Sequence, residues 1–150
     1  MAKQVTKSII IKSDLESIFN LWADFENFPH FMRHVKAVKK LDDRLSEWTV
    51  AGPLGASVRW KAELTRFEEN KRIGWNTKDH EGMLTTSGQV SFNPLPEGEV
   101  QVTVVLQYTP PAGVAGEVVA HLLIDPEERL ETDLRNFKQF AEGMYDRTAQ

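Results

Sequence analysis

The stretch LWADFENFPHFM, residues 21–32, brings one tryptophan, three phenylalanines and one methionine together around a single proline. Phe25, Phe28 and Phe31 recur at every third position, which places them on one side of a short helical turn that ends or kinks at Pro29. The stretch contains no serine, cysteine or threonine nucleophile. We therefore interpret it as an aromatic lid over an apolar interior rather than as a centre for bond chemistry.

The residues before this lid predict one strand and one helix. Residues 5–12 are rich in β-branched side chains, including three successive isoleucines, which is typical of a buried strand. Ser13 or Asp14 then has the chemistry of a helix N-cap, and apolar residues follow at helical spacing up to Trp22. We expect this helix to end at about Asp24, so that it and the lid form two short helices after the first strand.

The centre of the chain predicts an antiparallel sheet with one solvent-exposed face and one buried face. Turn signals rich in Gly, Pro, Asn and Asp separate segments of strand length. Within these segments apolar residues alternate with polar ones, as in strands that pack one face against helices. The apolar positions are Val58, Trp60, Ala62 and Leu64, then Leu84, Thr86, Gly88, Val90 and Phe92, then Val100, Val102, Val104, Leu106 and Tyr108. A period of three at Val35, Val38 and Leu41 predicts a less regular strand that can hold a bulge.

The last part of the chain predicts a long amphipathic helix. The two prolines at 110–111 end the preceding strand, and residues 118–122 have helical spacing of their own. Residues 125–128 supply a cap, a proline at the first helical position and a Glu at the third. The apolar stripe of the helix consists of Leu130, Leu134, Phe137, Ala141 and Met144. A helix over residues 126–145 is about 30 Å long and crosses a whole small sheet. We expect the charged residues around the stripe, Asp133 among them, to be solvated, which favours a monomer or weak dimer.

Composition restricts the class of protein. The 150 residues are 41% hydrophobic and 27% charged, which predicts a single globular domain over residues 1–150. The net charge of −4 argues against a nucleic-acid partner, although the basic cluster at residues 33–40 is either a phosphate or RNA contact or a solvated strand edge. Without cysteine there is no disulfide or thiolate metal site, and the spacing of His30 and His34 beside Pro29 is poor for a metal. We expect no metal, no cofactor, no membrane span and a cytoplasmic location.

Several motifs together resemble one known family. They are FENFPHFM from Phe25, GPLG from Gly52, WKAEL from Trp60, RIGW from Arg72, SGQVSF from Ser87, YTPPAG from Tyr108 and DLRNFK from Asp133. From about Lys3 to Glu142, the chain resembles the polyketide cyclase/dehydrase and lipid transport family. This family belongs to the START-like, helix-grip superfamily, which also resembles the Bet v 1 allergens and the Coq10 proteins. The resemblance implies an α+β fold in which a seven-stranded curved antiparallel sheet grips a long C-terminal helix over a deep apolar cavity. Close relatives often carry a His before Trp48, where this chain has Glu47. Because the family has no universal catalytic motif, no catalytic residue is transferred.

The predicted ligand site is the opening between the C-terminal helix, the curved sheet and the lid. Its predicted lining consists of Phe28, Phe31, Trp48, Trp60, Trp75, Leu84, Tyr108, Leu122 and Phe137. Each of these side chains is also compatible with a plain core position, because Trp and Phe dominate cores generally. For proton transfer the sequence offers two weak candidates, His30 at the lid and Tyr108 on the last strand.

Three functions are compatible with this sequence. The first is binding or transport of a small hydrophobic molecule such as a lipid, isoprenoid or polyketide. The second is a cyclase or dehydratase acting on a polyketide-like substrate, which requires a buried ionisable group. The third is a protein-interaction module associated with a larger complex, which requires an apolar or charged surface patch.

Overall fold

The computed structural model describes residues 3–32, 35–51, 57–78, 85–109 and 126–149. Its strands are β1 Lys3–Lys12, β2 Val35–Lys40, β3 Leu45–Ala51, β4 Ser57–Glu68, β5 Arg72–Lys78, β6 Thr85–Leu95 and β7 Glu99–Thr109. Its helices are α1 Leu15–Ala23, a 3-10 helix Phe25–His30 and the C-terminal helix Pro126–Ala149. The predicted segment at 118–122 lies outside the described residues.

The strands form one curled antiparallel sheet in the order β1-β7-β6-β5-β4-β3-β2. Neighbours in the sheet follow one another along the chain, except that β1 pairs with β7. Tight turns make this meander possible, since Asn70, Glu97 and Gly98 adopt the positive φ angles that such turns need. The predicted seven-stranded antiparallel sheet is therefore confirmed.

The edge strand β2 is irregular, as its period of three predicted. Its register with β3 shifts between Val35 and Ala37, which confirms a bulge. Its lysines Lys36, Lys39 and Lys40 are exposed. Charged side chains on an edge strand hinder pairing with another chain, so these lysines have a structural explanation.

The two short helices form where the sequence places them. The Asp14 carboxylate accepts a hydrogen bond of 2.9 Å from the Ser17 backbone N–H, which confirms the N-cap of α1, and Asp24 is its C-cap. The lid is a 3-10 helix, whose three residues per turn match the spacing of its phenylalanines. Phe28 and Phe31 are consequently both buried.

The C-terminal helix runs alongside β1 in the same direction. The Lys7 ammonium lies 3.7 Å from the Glu131 carboxylate, Lys138 Nζ donates to the Ile10 carbonyl, and the Lys12 backbone N–H donates to Glu142. Residues 131–142 of a helix and residues 7–12 of a strand both span about 16 Å. The helix and the strand therefore advance by the same distance between these contacts. A residue of the helix can be matched to the β1 residue at the same height and to the residues paired with it across the sheet.

The core lies between the sheet and these helices, with Trp22 at its centre. The Trp22 indole meets the rings of Phe28, Phe92 and Phe137 edge to face, at centroid distances of 5.2, 6.3 and 4.9 Å. The predicted stripe of the C-terminal helix is confirmed at Leu130, Leu134, Phe137 and Ala141, which are all buried. The side chain of Met144 lies outside the described residues.

Candidate ligand-binding site

Packing on the inner face of the sheet changes along the strands. On β7, Val100, Val102 and Val104 are at most 3% exposed, whereas Leu106 is only half-buried. On β5 the same change occurs between Ile73, which is fully buried, and Trp75, which is half-buried. Trp75 and Leu106 thus keep part of their surface accessible, although Ile73 and the valines on the same faces of these strands are buried.

The half-buried residues lie beside one another. Strand pairing places Leu64 opposite Trp75, Trp75 opposite Gly88, and Gly88 opposite Leu106. On the neighbouring strands, Trp48 is paired with Trp60. We call this set the inner apolar surface, and it consists of Trp48, Trp60, Leu64, Trp75 and Leu106. Large apolar side chains that remain accessible on the inner face of a sheet are typical of a pocket lining.

The Trp75 indole lies across the neighbouring strand, over Gly88. A β-carbon at Gly88 would lie 2.5 Å from Trp75 Cζ2 and 2.9 Å from Cη2. It would also lie 2.8 Å from the Val105 carbonyl oxygen. Only glycine fits beneath this ring, so Gly88 fixes how the indole covers the sheet.

The lid meets the inner apolar surface at Trp48. The Trp48 indole packs edge to face on Phe28 at 5.1 Å, and Phe25 lies 6.2 Å away. Its Nε1–H donates to the Ser46 hydroxyl at 2.9 Å, and Ser46 is itself buried. The polar edge of the indole is thus satisfied within β3, which leaves its apolar surface for packing.

The structure separates the predicted lining residues into two groups. Phe28, Phe31 and Phe137 belong to the packed aromatic cluster around Trp22. Trp48, Trp60 and Trp75 lie on the inner apolar surface. Leu84 and Leu122 lie outside the described residues, and for Tyr108 only the backbone pairing with Lys3 and Thr86 is described. The full lining therefore remains a prediction.

The proton-transfer candidate His30 lies on the exposed side of the lid. Its ring stacks on Phe140 of the C-terminal helix, with a centroid distance of 5.6 Å and an angle of 13° between the planes. This contact ties the lid to the helix. Stacking on Phe140 gives His30 a structural role.

The sequence interpretation of Asp133 is wrong, because this residue is buried rather than solvated. It is 7% exposed, and burial raises the pKa of its carboxyl to about 7, although the nearby Arg129 charge acts in the opposite direction. Its position explains the error. Asp133 lies between Leu130 and Phe137 on the inward side of the helix, a spacing that was visible in the sequence and was read as part of a charged surface.

The described residues contain neither a cluster of metal ligands nor a membrane-spanning helix. No three His, Asp or Glu side chains lie close enough within those ranges to hold a metal ion. In the same part of the chain, no helix combines the length and the apolar character needed to cross a bilayer.

Comparison with known proteins gives the family. The family model for polyketide cyclase/dehydrase and lipid transport matches residues 11–140. An uncharacterized 17.2 kDa protein of the melC2-rnhH intergenic region of Streptomyces lincolnensis is 28% identical, with 93% of this chain and 89% of that protein covered. The structure of DR_A0006 from Deinococcus radiodurans is 33% identical, covers 91% of this chain and 95% of its own, and has a TM-score of 0.72. The Zhui aromatase/cyclase from Streptomyces sp. R1128 shares the fold, with a TM-score of 0.79, 13% identity, and 95% and 94% coverage. The chain therefore belongs to the polyketide cyclase/dehydrase and lipid transport family.

Proposed function

We propose that this protein binds a small hydrophobic molecule, such as a lipid, isoprenoid or polyketide, between the inner apolar surface and the C-terminal helix. The observation that carries the proposal is the contrast in burial along β5 and β7. Val102 and Ile73 are fully buried, while Leu106 and Trp75 on the same strands and the same face remain accessible. A ligand would complete the burial that the described residues leave unfinished.

The free energy gained by burying this apolar surface favours binding of a ligand. Each 100 Å² of apolar surface removed from water is worth about 2.5 kcal/mol. The five side chains are already partly buried, so the area that counts is what remains accessible on them together with the apolar surface of the ligand itself. The Trp48 indole does not need a hydrogen bond from the ligand, since its N–H already donates to the Ser46 hydroxyl.

A titration with the neutral dye Nile red tests this proposal. We expect saturable binding that Trp75→Ala weakens about tenfold or more, because the indole forms part of the wall. Phe67→Ala is the matched control, since Phe67 is an aromatic residue of the sheet that is 50% exposed and lies outside the inner apolar surface. Equal affinity in wild type and Trp75→Ala, or no saturable binding at all, would contradict the proposal.

A second candidate function is a cyclase or dehydratase acting on a polyketide-like substrate. The observation in its favour is the buried Asp133, whose pKa of about 7 suits proton transfer near neutral pH. The shared fold with an aromatase/cyclase is compatible with this chemistry but carries no residue roles. Incubation with a linear polyketide analogue, followed by mass spectrometry for loss of water, tests it. We expect Asp133→Asn to abolish turnover while binding persists, and an unchanged rate would refute the role.

A further inference from the structure

Arg129, near the start of the C-terminal helix, carries a buried nitrogen that is not hydrogen-bonded. Its Nη1 atom is inaccessible to solvent, and no acceptor in the described part of the chain pairs with it. A guanidinium group remains charged at any ordinary pH, and a buried N–H of a charged group is costly when it has no acceptor. The Nη1 atom of Arg129 therefore lacks an acceptor oxygen among the described residues.

Helix periodicity shows which way Arg129 faces. Asn136 follows it by seven residues, almost two full turns, so the two share one side of the helix. Asn136 Nδ2 donates to the Phe31 carbonyl at 3.1 Å, so this side faces the lid. Arg129 thus lies on the same side of the helix as Asn136. The opposite side contacts β1 through Glu131 and Lys138.

The pairing of helix and strand gives the depth of Arg129 in the fold. Glu131 contacts Lys7. Arg129 precedes Glu131 by two residues, and two residues of a helix span about the same length as one residue of a strand. Arg129 is therefore level with Thr6 and Val5. Val5 is paired with Leu106, the first residue of the row that continues through Gly88 to Trp75. The backbone of Arg129 is therefore at the level of the inner apolar surface.

Asp133, one turn further along the helix, does not remove the need for an acceptor. Its charge acts on Arg129 electrostatically, yet Nη1 forms no hydrogen bond with it. Burial also favours the neutral form of this carboxyl, so near pH 7 it offsets the Arg129 charge only in part. A ligand oxygen at Arg129 would supply the missing hydrogen bond.

We propose that Arg129 binds the carboxylate of an amphipathic ligand whose apolar part lies on the inner apolar surface. This inference rests on the proposed function and specifies the chemical class of the ligand. A carboxylate suits the position because it can accept two parallel hydrogen bonds from one guanidinium group. The apolar remainder of the ligand then extends toward Trp75 and Leu106.

The test compares two ligands that differ only in the polar end. Dodecanoate and dodecanol are each titrated against bound Nile red at pH 6, where the fatty acid is ionised and the Asp133 carboxyl is still mostly neutral. We expect wild type to bind dodecanoate about 10- to 100-fold more tightly, as a charge-assisted hydrogen bond predicts. Arg129→Gln should remove this preference and leave the dodecanol affinity unchanged, and Arg129→Lys should restore part of it.

Arg135→Gln is the matched control, since Arg135 is exposed on the same helix and bonds only to Thr132 among the described residues. It should leave the preference intact. Equal wild-type affinity for the acid and the alcohol would overturn this inference while the proposed function stands, and this comparison needs no variant to fold. Failure of Nile red, the acid and the alcohol to bind would refute both. A preference that survives Arg129→Gln would also refute the role of Arg129.

Discussion

Replacement of Gly88 by alanine tests whether the position of the Trp75 indole requires a glycine beneath the ring. The new methyl carbon would lie 2.5 Å from Cζ2 of a rigid ring and 2.8 Å from a backbone carbonyl, so neither neighbour can yield cheaply. Overpacking of this kind costs about 1–3 kcal/mol. Alanine recovers about 0.5–1 kcal/mol because it restricts the unfolded chain more than glycine does. We therefore expect Gly88→Ala to lower the free energy of unfolding by up to about 2.5 kcal/mol.

Urea unfolding followed by tryptophan fluorescence measures this change. Gly74→Ala is the comparison variant, because the added carbon there would lie 2.9 Å from Thr65 Oγ1 and 3.3 Å from Arg66 Cβ, whereas at Gly88 it would lie within 2.9 Å of three atoms. A double-mutant cycle with Trp75→Leu isolates the ring, since Gly88→Ala should cost less once the indole is gone. The reasoning is refuted if Gly88→Ala costs no more than Gly74→Ala, or if its cost is the same with and without Trp75.

Three further predictions concern stability. Burial raises the pKa of Asp133 to about 7, against 3.8 in the unfolded chain, so its contribution to stability should fall as pH rises from 4 to 7, by at most about 4 kcal/mol. The lowered pKa values of Asp14 and Glu142 act in the opposite direction. In thermal melts across this range, wild type should therefore lose more stability, or gain less, than Asp133→Asn as pH rises, and identical profiles would contradict the shift. Asp14→Ala should cost about 1 kcal/mol in urea unfolding through loss of the α1 cap, whereas exposed Glu16→Ala should cost less. Phe137→Ala should cost about 3–5 kcal/mol in the same assay, because the ring is fully buried, and a cost below 1 kcal/mol would place it outside the core.

The fold follows from the sequence because its signals are local and agree with one another. Alternation in β7, the Asp14 cap and the stripe on the C-terminal helix each indicate the element that forms. The spacing of three in the lid also predicted a tight helical turn, and 3-10 geometry is the form that repeats every three residues. Such patterns depend on near neighbours in the chain, so one sequence is enough to read them.

The candidate site is less readable because burial depends on contacts between distant segments. Trp22 and Trp75 are both inward-facing indoles, but one is enclosed by the lid and the helix while the other remains half-buried. Nothing local distinguishes them. Asp133 was misread for a related reason, since charge favours solvent and only the position of the residue within the apolar stripe pointed inward.

Native mass spectrometry of freshly purified protein, followed by organic extraction, tests the central claim most directly. If the inner apolar surface binds a small hydrophobic molecule, the spectrum should show the chain with one apolar ligand bound, and extraction should release that ligand. A Trp75→Ala sample should retain less of it than Phe67→Ala. A bare chain in every sample, together with no uptake from a panel of lipids and polyphenols, would contradict the account and favour a protein partner.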